Sequence, residues 1–126
     1  MKYTRIYADA DGESHFEDVD VQLQEVDFAP PAPPLNLSSF SPVTQYGFVV
    51  FSADRYSDWH DSWHPTPQRQ LFFVISGIGE VEVSDGEVRR FEPGSVVLLE
   101  DTTGKGHRNK AGSSDDVLTA VVQLPD

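Results

Sequence analysis

From Val81 to Ser95 the chain reads VEVSDGEVRRFEPGS, with Asp85-Gly86 set between two alternating runs and Pro93-Gly94 closely following. Glycine tolerates positive φ, so a two-residue Asp-Gly insert between alternating apolar and polar residues is a hairpin signal. Pro-Gly marks a second tight turn. A chain that reverses so often has little room for helix. Nowhere does an apolar stripe at helical spacing run longer than two turns. Short strand signals recur instead. In EDVDVQLQEV, Val19, Val21 and Leu23 alternate with Asp18, Asp20, Gln22 and Gln24, which predicts a single half-buried strand. TQYGFVVFS, QLFFVIS, EVEVS, EVRRF, SVVLLE and VLTAVVQL supply further strands. The fold class expected is all-β, a small sandwich or barrel.

The length of 126 residues fits one domain over 1–126. Residues 1–43 read as N-terminal strands and a proline-rich connector, and 44–123 as the barrel core. In the connector, APPAPPLNL, proline lacks the N–H a sheet ladder needs, so an extended linker is expected rather than a central strand. No run of eighteen apolar residues occurs, and MKYTRIYADADGESHFEDVD lacks a signal-peptide core, so the expectation is a cytoplasmic protein off the membrane. Without cysteine there is neither a disulfide framework nor a thiolate zinc site. Nine basic against 21 acidic residues give a net charge of −12, which argues against nucleic acid and anionic membrane as partners.

The chemistry-bearing stretch is DWHDSWHPTPQRQ, Asp58 to Gln70. Gln70 opens a strand whose alternation puts Gln70, Phe72 and Val74 on one face and Leu71 and Phe73 on the other. His64 and Thr66 precede it at even spacing, so an extended chain turns them to the same face. Arg69 then points outward. His60 sits four residues before His64, in what reads as a loop at the pocket rim. Trp59 and Trp63 are packing residues, Lys105 a loop lysine, and His15 a surface or interface residue. His107 follows the glycine-bearing loop EDTTGKG and enters another strand, with Asn109 on the same strand face.

These motifs resemble the cupins, small jelly-roll β-barrels. The first cupin motif is H-x-H, three or four residues, E, six residues, G; this chain has His64-Pro65-Thr66, three residues, Gln70, six residues, Gly77. The second is G, five residues, P-x-G-x-x-H, three residues, N; here Gly94 is followed by seven residues and Thr102-Thr103-Gly104-Lys105-Gly106-His107, with Ala111 at the asparagine position. WHPTPQRQ and LLEDTTGKGH are similar to a group of small bacterial single-domain cupins without a settled activity. The resemblance implies a single-domain cupin-like jelly-roll β-barrel with a small-molecule pocket. His64, Gln70, His107, Thr66, Phe72, Val74, Asn109 and His60 would line it.

Metal-binding cupins hold a divalent ion with three histidines and a glutamate. Here His64 and His107 stand at two of those positions, while Thr66 and Gln70 replace a histidine and the glutamate. His64, Gln70 and His107 are thus the candidate metal ligands, for zinc, nickel or iron. Without a carboxylate the set carries no charge to offset the ion, so a weak or absent metal site is expected. Three functions follow: a small-molecule pocket with a degenerate metal site, a metal-dependent oxygenase or isomerase, or a non-catalytic sensing or interaction domain. The long strand HFEDVDVQLQEV needs a partner, which predicts a homodimer.

Overall fold

A computed structural model describes residues 1–59 and 63–126. Eleven strands follow in chain order among them: β1 Lys2–Ala8, β2 Ser14–Asp20, β3 Gln24–Val26, β4 Leu35–Leu37, β5 Gln45–Phe51, β6 Gln70–Ser76, β7 Gly79–Val83, β8 Val88–Phe91, β9 Val96–Leu99, β10 His107–Ala111 and β11 Val117–Gln123. Among these residues no helix is long and apolar enough to cross a membrane. Six strands form one sheet in the order β2-β1-β9-β6-β11-β5, three form a second in the order β10-β7-β8, and β3 pairs with β4. The two larger sheets pack as a jelly roll. They share one core cluster: Ile6, Phe16, Val74, Val97, Leu99 and Val117 come from the larger sheet, Val83, Phe91 and Ala111 from the smaller.

The punctuation read from the sequence holds. Gly86 and Gly94 both take positive φ, at 97° and 94°, in the β7–β8 and β8–β9 turns. The Asp85 carboxylate reinforces the first turn by accepting from Glu87 N at 2.8 Å. Strand β6 alternates as expected. Gln70, Phe72 and Val74 face the interior, while Leu71 and Phe73 lie on the outer face beside Val96 and Leu98. Arg69 is outside the barrel too, paired with Glu100, which Arg5 also binds. Burial alone would push the Glu100 carboxyl up, but the two guanidiniums outweigh it and hold it below the ordinary carboxylate value.

Two expectations are corrected. EDVDVQLQEV is not one strand: β2 ends at Asp20 and β3 begins at Gln24. Within it Val19 and Val21 are half-buried and Asp18 and Asp20 exposed, as the alternation predicts, but the fully buried residues of β2 are Ser14 and Phe16, and Leu23 is 50% exposed. Period two fixes that a strand has two faces, but the partner sheet decides which is covered. The proline-rich connector does not run straight. It turns where Ala32 N donates to Ala29 O, then Leu35–Leu37 pairs back onto β3. Strand β1, one of the expected N-terminal strands, lies inside the larger sheet, antiparallel to β2 and parallel to β9, and buries Ile6 completely.

His15 lies at the surface, as expected, with its side chain 28% exposed, but it is not free. Its Nε2 meets Asp9 Oδ2 and its Nδ1 meets Asp85 Oδ2, each at 2.7 Å, with the Tyr7 ring 5.5 Å away. Hydrogen bonds to Asp9 and then Asp85 raise its pKa above the ordinary histidine value, against a smaller desolvation effect. Asp9 is correspondingly lowered, first by its bond to His15. A raised folded pKa gives stability that is complete below the unfolded value of about 6.5 and is lost as pH rises through the folded value. The lowered Asp9 acts oppositely, and its share disappears as pH falls through the acid range. The stabilising effect of His15 relative to His15→Gln should therefore be larger at mildly acidic pH than in alkali. Urea denaturation of both proteins at the two pH values checks this, and an equal difference at both would refute it.

Candidate functional site

His64 lies just before β6 and forms an isolated antiparallel bridge with His107, the first residue of β10. Each backbone N–H donates to the other's carbonyl at 3.0 Å. The two imidazoles are thereby held with centroids 4.8 Å apart and planes at 58°. Gly106 makes this approach possible. Its φ is +75°, and a Cβ there would overlap the carbonyl of His64 and the nitrogen of Pro65.

Behind His107 lies a buried carboxylate that the sequence reading did not single out. Asp101 is wholly buried; His107 is 3% and Thr66 1% exposed. His107 Nδ1 donates to Asp101 Oδ2 at 2.6 Å, and the Thr66 hydroxyl donates to Asp101 Oδ1 at 2.7 Å. Thr66 N also donates to Asp101 O at 2.9 Å. Both carboxylate oxygens are thus satisfied, which is how a buried acid is accommodated. A signal was present. Val97 and Leu99 face inward from β9, and Asp101 continues that period of two beyond the strand.

The interior is a cavity of about 340 Å³ with largely apolar walls. His64, Thr66, Gln70, His107 and Asn109 bring polar groups to it, and Phe72 and Val74 belong to its apolar wall. Seven of the eight candidate pocket residues therefore line one space. The eighth, His60, lies outside the described residues. Tyr56 and the Glu80–Lys110 ion pair, closed at 3.2 Å, border the same space and were not anticipated. Trp59 and Trp63 do not line it. The Arg108 guanidinium lies over both rings, at 5.3 and 4.7 Å from their centroids. Lys105 is bound to Glu13 at 2.6 Å, and this hydrogen bond raises its pKa.

Among the described residues, no three of histidine, cysteine, aspartate and glutamate are grouped to hold a metal ion. The nearest carboxylate, Asp101, is already engaged by His107 and Thr66. Gln70 Oε1 accepts from Gln123 Nε2 at 3.3 Å. Among the described residues, two imidazoles and a shared amide oxygen fall short of the three or four good donors and the charge compensation that a tightly held ion needs.

No family model matches the sequence, and no curated protein does. Solved structures do. A cupin 2 conserved barrel domain protein from Salinispora arenicola aligns with a TM-score of 0.50 at 17% identity, over 83% of this chain and 76% of its own. The cupin domain of Cnp3 from Schizosaccharomyces pombe aligns with a TM-score of 0.50 at 14% identity, over 99% and 84%. With its two packed sheets around one cavity, the chain has the cupin fold, a jelly-roll β-barrel.

Proposed function

We propose that the barrel binds a small, largely apolar molecule, with its polar end toward His64, His107, Gln70 and Asn109. The observation that carries this is the cavity of about 340 Å³, whose apolar walls meet a few convergent polar groups. That combination suits an oriented organic ligand better than an ion. The test is an amide and methyl NMR titration with a library of small neutral aromatic carbonyl compounds. Binding should shift Phe72, Val74 and His107 together. Val49 borders the cavity on the exposed edge strand β5, so Val49→Trp should block the shifts by filling the opening. Shifts confined to the outer surface, for every compound, would end this reading.

In this reading a transition metal is at most weakly held. Elemental analysis of protein purified without chelator should give well under one equivalent. Gln70→Glu would place a carboxylate beside the two imidazoles and should raise zinc or nickel retention through dialysis by at least about tenfold, the scale on which single ligand-environment changes act. A full equivalent in the unaltered protein, resistant to EDTA, would favour the metal-dependent alternative.

We further propose a homodimer. Strands β5, β6 and β11 contain no charged residue, although the chain as a whole carries −12. Identical acidic molecules repel, so two copies meet most favourably through this neutral face.

A further inference from the structure

We propose that His107 is a catalytic base, positioned by Asp101 and Thr66, that removes a proton from a small neutral carbonyl compound bound in the barrel. The proposal rests on the pocket reading above and adds a reaction to it. The geometry gives the imidazole two different edges. Its Nδ1 edge is turned to Asp101, which does not border the cavity, while His107 itself does. The described residues leave no buried side-chain nitrogen or oxygen without a partner. His107 Nε2 makes no hydrogen bond to them, so it opens onto the cavity.

A carboxylate that accepts from Nδ1 fixes the tautomer: the proton is on Nδ1 and the lone pair on Nε2. This is the arrangement a general base needs. Thr66 holds the other carboxylate oxygen, so Asp101 cannot rotate away without losing that bond. Among the described residues, the charged and titratable groups around the imidazole are Asp101 behind it, His64 beside it, and Tyr56 and the Glu80–Lys110 pair on the same cavity wall. The chemistry is then simple. Nε2 takes a proton from carbon next to the carbonyl, the C–H electron pair passes into a new C=C bond, and the carbonyl π pair moves to oxygen. The Gln70 amide, whose oxygen is used by Gln123, keeps its N–H groups for such an oxygen. Return of the proton to another atom completes an isomerisation with no redox partner.

The purely structural alternative is a buried histidine that merely satisfies Asp101. It is separated by 5-nitrobenzisoxazole, a neutral aromatic probe that needs only a base. Loss of its C3 proton to Nε2 turns the C–H pair into the third C–N bond, breaks N–O, and releases a coloured phenolate; the proton then passes to water. The protein should accelerate this by about 10²-fold or more over an equal concentration of free imidazole. His107→Gln should return the rate to background, and Asp101→Asn should lower it by about tenfold or more, because an amide donates to Nδ1 and moves the proton to Nε2. Imidazole ¹⁵N NMR of the unaltered protein should show protonated Nδ1 and bare Nε2, a readout that no variant's folding affects. A probe that binds inside the barrel without acceleration, or an Nε2–H tautomer in the unaltered protein, overturns the base while leaving the pocket intact. Failure of every small aromatic, this probe included, to enter the barrel overturns the pocket reading, and the base with it.

Discussion

Alanine at Gly106 should destabilise the protein by about 3 kcal/mol or more and separate the two histidines. Two costs combine. A side chain at φ +75° is strained by about 1–2 kcal/mol. The new Cβ also meets only backbone, the His64 carbonyl and the Pro65 nitrogen, which no rotamer change can relieve. The His64–His107 bridge must open, and the Gly106 carbonyl, which accepts from the buried Ser14 hydroxyl at 2.6 Å, moves with it. The expected fall in melting temperature is about 10 °C. Gly47→Ala is the control, since nothing lies within 4 Å of a Cβ there; it should be neutral or slightly stabilising. Thermal unfolding of both variants decides the matter, and an unchanged melting temperature for Gly106→Ala would refute the close approach.

Aspartate at Phe48 should abolish self-association. Tyr46, Phe48 and Val50 on edge strand β5 are 79%, 67% and 56% exposed, and Ile75 on β6 is 48% exposed. An exposed apolar patch of this kind on an edge strand supports the proposed self-association there. The opposite edge of the sheet, β2, exposes Glu17, Asp18 and Asp20 instead. The homodimer expected from the β2 sequence is therefore proposed through β5. Burying a phenylalanine contributes about 1.5–3 kcal/mol, and a two-fold interface counts each residue twice. Losing both copies weakens the dimer by about 10²- to 10⁴-fold. Sedimentation equilibrium should show a dimer of the 14.0 kDa chain and a monomeric Phe48→Asp variant. A monomeric unaltered protein would refute the assembly, and undiminished association of the variant would move it away from β5.

Alternation and turn chemistry are local properties, and they carried the sequence reading a long way. Asp85-Gly86 and Pro93-Gly94 placed two turns, because positive φ is a property of the residue itself. The even spacing of His64, Thr66, Gln70, Phe72 and Val74 placed five side chains on one cavity, because an extended chain turns every second residue the same way. Tertiary structure alone decided what covers each face and what lies behind it. Val19 and Val21 are half-buried, as their alternation suggests, but it is Ser14 and Phe16 that are fully buried. Phe48 looks like a core residue but is left bare, because it sits on the face of β5 opposite Val49 and Phe51, which line the cavity, and none of the described elements packs over that face. Asp101, in a stretch that reads as a polar loop, is sealed behind His107. A carboxylate can be buried there only because Thr66, 35 residues earlier, and His107, six later, bring it both hydrogen bonds. The period of two through Val97 and Leu99 gives the side of the chain on which Asp101 lies, but the hydrogen bonds that allow a carboxylate to be buried there come from tertiary contacts that no local pattern encodes.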